Sequence, residues 1–342
     1  MKGATIALDR LQDAEAAALV IDGRLEDLLI PGPGPAPGSI FRAVAERPLK
    51  GQGGAIVRLP DGAGFLRGAA GIAPGQHLLV QVTGHAGPGK AVPVSQRLLF
   101  KSRLAIVTPG APGLNVSRRV PDAEADRLRE VAHEAMEGAP HGLILRSAAE
   151  AAPEDELAED VRAMRDLAAQ VLSDAGGAPE LLVEGDGPHL LAWREWTLPA
   201  EVDAAPGSFE RHGVLDALGA LLSAEVPLGP ARMWVEPTRA LVAVDVDTGA
   251  DLSPAAALKA NLAAMAELPR QLRLRGLGGM VTVDPAPLLK RDRRAVEGAL
   301  RAALRSDPVE TALVGWSPAG HLELQRKRER APLAATLRRA LS

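Results

Sequence analysis

LVAVDVDTG, Leu241–Gly249, alternates apolar and acidic residues before a glycine. Side chains of a strand point to opposite faces with period two. Asp245 and Asp247 are therefore expected on one face, with Val244 and Val246 on the other. Two carboxylates side by side repel unless a cation or basic group lies between them. Magnesium takes oxygen ligands, often one or two carboxylates completed by water. Asp247-Thr248-Gly249 can equally open a turn, because Asp and Gly favour turns.

A third carboxylate bears on the choice. GGMVTVD, residues 278–284, reads as a second buried strand ending in Asp284. One helix separates the two strands. Ser253-Pro254 supplies an N-cap and first-turn proline, and the apolar spacing runs on towards Arg275. Pro269 is expected to kink that helix. Consecutive strands are often neighbours, and crevices at strand ends are the usual ligand sites of such sheets. Asp245, Asp247 and Asp284 are then expected at one rim. Arg270, Arg273, Arg275, Lys290, Arg291, Arg293 and Arg294 are close in sequence. Acids ringed by bases suit a magnesium ion acting on a phosphodiester, with arginines gripping phosphates. A strand-end turn beside a solvated basic helix remains the alternative that spacing leaves open.

The 342 residues suffice for two or three domains, and 46% are hydrophobic, enough for a sizeable core. There is no cysteine, which excludes disulfides, thiolate zinc sites and cysteine nucleophiles. The first residues, MKGATIALDRLQD, acquire charge too early for a signal peptide. No run of about 18 apolar residues suggests a membrane span. A soluble, cytoplasmic protein is the expectation. Residues 121–210 carry 21 acidic and 6 basic side chains, whereas residues 251–342 carry 9 and 16. That asymmetry is compatible with a polyanion-binding C-terminal part or with solvated helix faces.

PGPGPAPGS, residues 31–39, is a Pro/Gly connector and a candidate boundary. Short apolar runs between turns over 38–108 suggest a small β-barrel. Helices are expected from Asp122, as cap, to about Glu137, over 154–173, over 209–223 and over 291–305. GLILRSA, 142–148, reads as a strand. GHAGPGKA, 84–91, nearly matches a phosphate-binding loop, but Ala91 replaces the required hydroxyl and a strand follows. It reads as a hairpin turn presenting Lys90. Phe65 in AGFLRG is either core or a base-stacking aromatic on the barrel.

ALVAVDVDTG, then KANLAAMAELPRQLRLRGLGGMVTVD, then RRAVEGALRAAL, resembles the catalytic region of the ribonuclease E/G family. RQLRLRGLGG, 270–279, is the most specific piece. GSIFRAVAERPLKGQGGAIVRLPDGAGFLRG looks like the family's inserted barrel, and PGAPGLNVSRRV like the segment after it. The resemblance implies an α/β (mixed α+β) protein. An RNase H-like subdomain (1–35 and 181–222) would carry an inserted S1-like OB barrel (36–108). A 5′-sensor-like α/β region (109–180) and a DNase I-like catalytic subdomain (223–342) would complete it.

The activity implied is a magnesium-dependent endoribonuclease cutting single-stranded, A/U-rich RNA in RNA processing or decay. Asp245 and Asp284 would hold the metal, and Asp247 stands where the family has Asn. Arg146 and Ser147 match a pair that grips a 5′ phosphate. Phe65 and Lys90, with Arg118, Arg119, Arg273 and Arg275, would contact RNA. The family's Cys-x-x-Cys zinc link is missing, so no zinc and no zinc-linked tetramer are expected, and a homodimer is the assembly considered. Asp247, an aliphatic Ile56 on the barrel and Pro318 in SPAGHLEL depart from the family pattern. They motivate the alternative of a catalytically weakened RNA-binding relative.

Overall fold

Val242–Asp247 lies beside Gly279–Asp284 as a parallel pair, in register from Val242↔Val281 to Asp245↔Asp284. A computed structural model describes residues 3–49, 53–68, 70–87, 89–174 and 176–340. The chain forms two units, Met1–Pro33 with Leu198–Ser342, and Gly34–Thr197.

In the first unit, among the described residues, the parallel pair is central to a six-stranded sheet. Its order is Glu225–Leu228, Ala231–Pro237, Val242–Asp247, Gly279–Asp284, Leu322–Arg326, Thr311–Trp316. A parallel pair needs a long crossover, here the helix Pro254–Leu274. Val242, Val244, Val246, Val281 and Val283 form one core with Met265, Leu268 and Leu272 of that helix and Val296 and Leu300 of Arg293–Ser306. The alternate residues Asp245, Asp247, Met280 and Asp284 are exposed on the other face.

The crossover helix starts as its sequence dictates: the Ser253 hydroxyl accepts the Ala256 N–H at 3.2 Å, satisfying one orphan donor of the first turn. It continues through buried Pro269 to Leu274. Its end explains RQLRLRGLGG. The Leu277 N–H bonds the Leu272 carbonyl and the Gly276 N–H bonds the Arg273 carbonyl, a Schellman cap. Gly276 has φ +63°, and a Cβ there would lie 1.9 Å from the Ala331 carbonyl oxygen.

A four-stranded sheet of the same unit orders Glu201–Asp203, Ala4–Leu11, Ala14–Ile21 and Arg24–Leu29. Its core joins Ala16, Ala18 and Leu28 to Phe209, Val214 and Leu218. The helix expected over 209–223 is two pieces, Ser208–Arg211 and Val214–Leu221. Gly213, at φ +67°, breaks it by turning the chain left-handed.

In the second unit, among the described residues, five strands close into a barrel. Ile40–Leu49, Gly54–Leu59, Gly62–Arg67, Val92–Ser95 and His77–Val82 pair in that order, and the last pairs back to the first. Phe41, Ala43, Val57, Leu66, Val80 and Val94 fill it. The turn over 84–91 joins the antiparallel strands His77–Val82 and Val92–Ser95. A second sheet, Leu114–Val116, Gly142–Leu145, Ala105–Thr108 and Phe100–Lys101, packs on the helices Asp122–Ala135 and Glu154–Ser173. Asp122 is not the cap of the first helix. Pro121 holds that position without a side-chain bond, and Asp122 lies in the first turn, where its charge meets the helix dipole favourably.

Residues 181–222 do not return to the first strands as one piece. Glu180–Val183 pairs with Ile40–Leu49, and its Leu182 and Val183 pack on the helical core. The helix Pro188–Glu195 belongs to the second unit, whereas Glu201–Asp203 pairs in parallel with Ala4–Leu11.

Candidate active site

The open face of the six-stranded sheet carries a row of side chains across its strands. Trp234 is the register partner of Asp245, and Asp245 of Asp284. His321 follows, its Nε2 3.7 Å from Asp284 Oδ1. One step along, Arg232 opposes Asp247. The carboxyl of Asp245 is pushed above the ordinary carboxylate range, first by burial, then by the negative charges of Asp284 and Asp247. Both causes penalise its charged form. The Asp284 side chain is 65% exposed.

Asp247 serves the turn as well. Its Oδ1 accepts the Gly249 N–H at 2.5 Å, so the turn reading and the shared-face reading both hold for this residue. Among the described residues, no three His, Cys, Asp or Glu side chains converge on a common metal-holding point. What remains is the pair Asp245/Asp284. A side-by-side carboxylate pair whose charge is uncompensated suits a hydrated divalent cation, which needs only one or two carboxylates.

The loop after Asp284 is fastened from below. Asn261, fully buried in the crossover helix, donates through Nδ2 to the Ala286 carbonyl and accepts the Ala286 N–H through Oδ1, both at 3.0 Å. His321 follows a tight turn in which the Gly320 N–H bonds the Ser317 carbonyl at 3.0 Å. Pro318 is exposed in that turn. Neither His321 nor Trp234 stood out in the sequence. The signal was their place in or beside strands flanking the two aspartates, visible only once strand order is known.

Arg273 and Arg275, two of the expected RNA contacts, are bonded within the unit. Arg273 Nη1 bonds Asp307 Oδ2 at 2.5 Å and its Nη2 bonds the Glu26 carbonyl at 2.6 Å. Arg275 donates to the carbonyls of Leu221 and Ser223, at 2.8 and 2.5 Å, and to Gln271. Arg275 is 8% exposed and the Arg273 side chain 10%. Their donors are committed inside the unit. Lys290, Arg291 and Arg294 are exposed instead.

In the second unit, Ser147 opens the short 3₁₀ turn Ser147–Ala151. It lines an open cavity of about 690 Å³ with Arg103, Arg119, Glu124, Glu150 and Thr197. Arg146 is engaged elsewhere, donating to the Ser102 carbonyl at 2.8 Å and to Glu195 at 2.5 Å. Burial alone would raise the Glu195 carboxyl, but the guanidiniums of Arg146 and Arg194 overcome it and hold it below its usual value. The cations lining the cavity are Arg119 and Arg103, the latter bonded to the Trp193 carbonyl and 5.1 Å from the Trp193 ring centroid. Arg118 and Arg119 are exposed after Leu114–Val116. Phe65 is partly exposed on the outer side of the barrel, opposite Ile56 and against Gly54. Lys90 is exposed in the hairpin turn, its N–H bonded to the Gly87 carbonyl.

The model of the Ribonuclease E/G family matches residues 100–200 and 198–329. Ribonuclease G of Salmonella typhimurium (strain SL1344) is 28% identical over 296 residues, 75% of this chain and 60% of the relative. Ribonuclease E of Nostoc sp. (strain PCC 7120) is 27% identical over 376 residues, 92% of this chain and 54% of the relative. Ribonuclease E of Escherichia coli (strain K12) is 29% identical over 203 residues, 55% of this chain and 19% of the relative. The chain therefore spans little more than half the length of the first two.

Proposed function

The chain belongs to the Ribonuclease E/G family. From that premise we propose that it is a magnesium-dependent endoribonuclease of single-stranded, A/U-rich RNA, acting in cytoplasmic RNA processing or decay. The observation that carries this reading is the register pairing of Asp245 with Asp284 on an open sheet face. These two carboxylates would hold the ion. A divalent ion bound there supplies polarisation of the phosphate and a water ionised near neutral pH.

The remaining work falls to the chain's own groups. Asn261 fixes the backbone two residues beyond Asp284. His321 stands beside Asp284, where it can orient that carboxylate. Exposed Lys290, Arg291 and Arg294 draw the RNA backbone in, an attraction that salt weakens. Arg103, Arg119 and Ser147 are the groups for a 5′-monophosphate end. We expect no zinc, and a homodimer as the largest assembly considered. No helix among the described residues is long and apolar enough to cross a membrane.

A second reading, an RNA-binding relative without catalysis, rests on Asp247, which stands where the family has Asn and whose carboxylate accepts the Gly249 N–H of the turn. Purified protein mixed with a 5′-monophosphorylated, A/U-rich RNA, in magnesium or in EDTA, separates the two. Discrete internal cuts only with magnesium, lost in Asp284→Asn, are the expected result. No cutting alongside salt-sensitive binding would replace the nuclease with the binding protein.

A further inference from the structure

Trp234 is the large aromatic closest in the sheet to the aspartate pair. Strand alternation forces it outward, because Met233 and Val235, at 0% and 1% exposure, fill the core positions on either side. Its cross-strand partners are Asp245 on one side and Glu225 on the other. Neither offers the apolar packing that an indole ordinarily receives on a sheet, where its large area is its main contribution. The Arg232 guanidinium lies 5.8 Å from its ring centroid, within cation–π reach. Among the described residues, the Trp234 indole N–H has no hydrogen-bond partner. Trp316, on the same sheet, is tied down: its N–H donates to Glu297 at 2.8 Å and Arg293 covers its ring at 4.5 Å.

We propose that Trp234, flanked by Arg232, is a stacking platform for a nucleobase next to the cleaved phosphodiester of a single-stranded RNA. The proposal rests on the nuclease reading of this site and deepens it. The platform is one strand spacing, about 4.8 Å, from Asp245. A phosphate held at the aspartate pair therefore leaves an adjacent base over the indole rather than over open solvent. Stacking is tolerant of base identity, since every base offers a π face. Arg232 lies opposite Asp247 and is ion-paired with Glu225 at 3.3 Å, which holds its guanidinium beside the indole.

The test is a walk of single abasic sites along the RNA, with binding read by fluorescence anisotropy in calcium, which keeps a divalent ion at the pair, and cleavage read separately in magnesium. In the unsubstituted protein, one abasic position beside the cut should weaken binding roughly tenfold, the scale of one base–aromatic stack. In Trp234→Ala that penalty should vanish, because the intact RNA is already weakened to the same level. Trp234→Phe should retain most of it, which also controls for folding. A penalty unchanged in Trp234→Ala, or no position-specific penalty in the unsubstituted protein, would overturn the platform. Failure of the nuclease reading shows differently, as no magnesium-dependent cuts by the unsubstituted protein whatever its abasic pattern.

Discussion

Asp245 and Asp284 face each other across a parallel strand pair, with Asp284 at the end of its strand and neither carboxylate neutralised by a lysine or arginine among the described residues. Their mutual repulsion helps raise the Asp245 carboxyl. A divalent cation should relieve it. At about ten times its dissociation constant, magnesium should stabilise the protein by about 1.4 kcal/mol, seen as an upward shift of the thermal midpoint. Asp284→Asn should abolish that shift while leaving the metal-free protein as stable or more stable by no more than about 0.5 kcal/mol, given the exposure of the site. A magnesium shift retained in both Asp245→Asn and Asp284→Asn would place the ion elsewhere.

A buried ion cluster holds the unit of the aspartate pair together. Asp307, whose side chain is 1% exposed, receives Arg273 at 2.5 Å and Arg326 at 3.1 Å. Arg326 also donates to Thr311 at 2.7 Å, and burial draws its pKa down. Asp307→Ala removes a shared carboxylate from two buried guanidiniums, a change that costs about 3–5 kcal/mol in comparable pairs. Urea unfolding should show a loss of that size. If Arg273 and Arg275 are clasps and not RNA contacts, substitutions there should lower stability without changing the salt slope of RNA binding. A slope reduced by about one unit in Arg273→Met would return that residue to the RNA interface.

These arginines also mark the limit of what the sequence discloses. The strand pair was legible, because VAVDVD and GMVTVD alternate with period two and the side facing the helices is valine apart from Gly279. The crossover helix was legible from Ser253-Pro254 and its apolar spacing. Arg273 and Arg275 were not, because a guanidinium enters a core only with partners, and theirs are Asp307 and the carbonyls of Leu221 and Ser223. Partners 34 to 54 positions away carry no local signal. His321 escaped notice for the same reason: antiparallel pairing of Leu322–Arg326 with Gly279–Asp284 brings it to Asp284. The break at Gly213 was missed because the apolar pattern of 209–223 spans it. The resemblance to a family placed the RNA contacts on residue types, and burial then divided them into exposed and committed.

Acid stability gives a third test. Asp203 accepts from Arg211 at 2.9 Å and lies 3.0 Å from His212 Nε2. Its carboxyl is held down at about 2, chiefly by the Arg211 bond and then by the Ala205 N–H. A depressed folded pKa stabilises the fold fully above the unfolded value, near 3.9, and the contribution fades as pH falls from there towards 2. Asp203→Asn should therefore be less stable than the unsubstituted protein at pH 5, with the difference closing between pH 4 and 2. A difference that stays constant over that range would mean the side chain acts by packing alone.

Asn261 links the fold to the chemistry. Its amide clamps both backbone groups of Ala286, two residues beyond Asp284, in a fully buried setting. Asn261→Ala removes two hydrogen bonds and leaves the Ala286 N–H and carbonyl unpaired. Each stranded group costs about 1–3 kcal/mol, so the two together give an expected loss of roughly 2–6 kcal/mol on unfolding. The site should suffer beyond the stability cost, because the loop that fixes the end of the Asp284 strand loses its anchor. At a temperature where the variant is fully folded by circular dichroism, magnesium-dependent cleavage should fall at least about tenfold, while RNA affinity in EDTA changes little. Cleavage that tracks the folded fraction alone would reduce Asn261 to a core residue and leave Asp284 positioned by its strand.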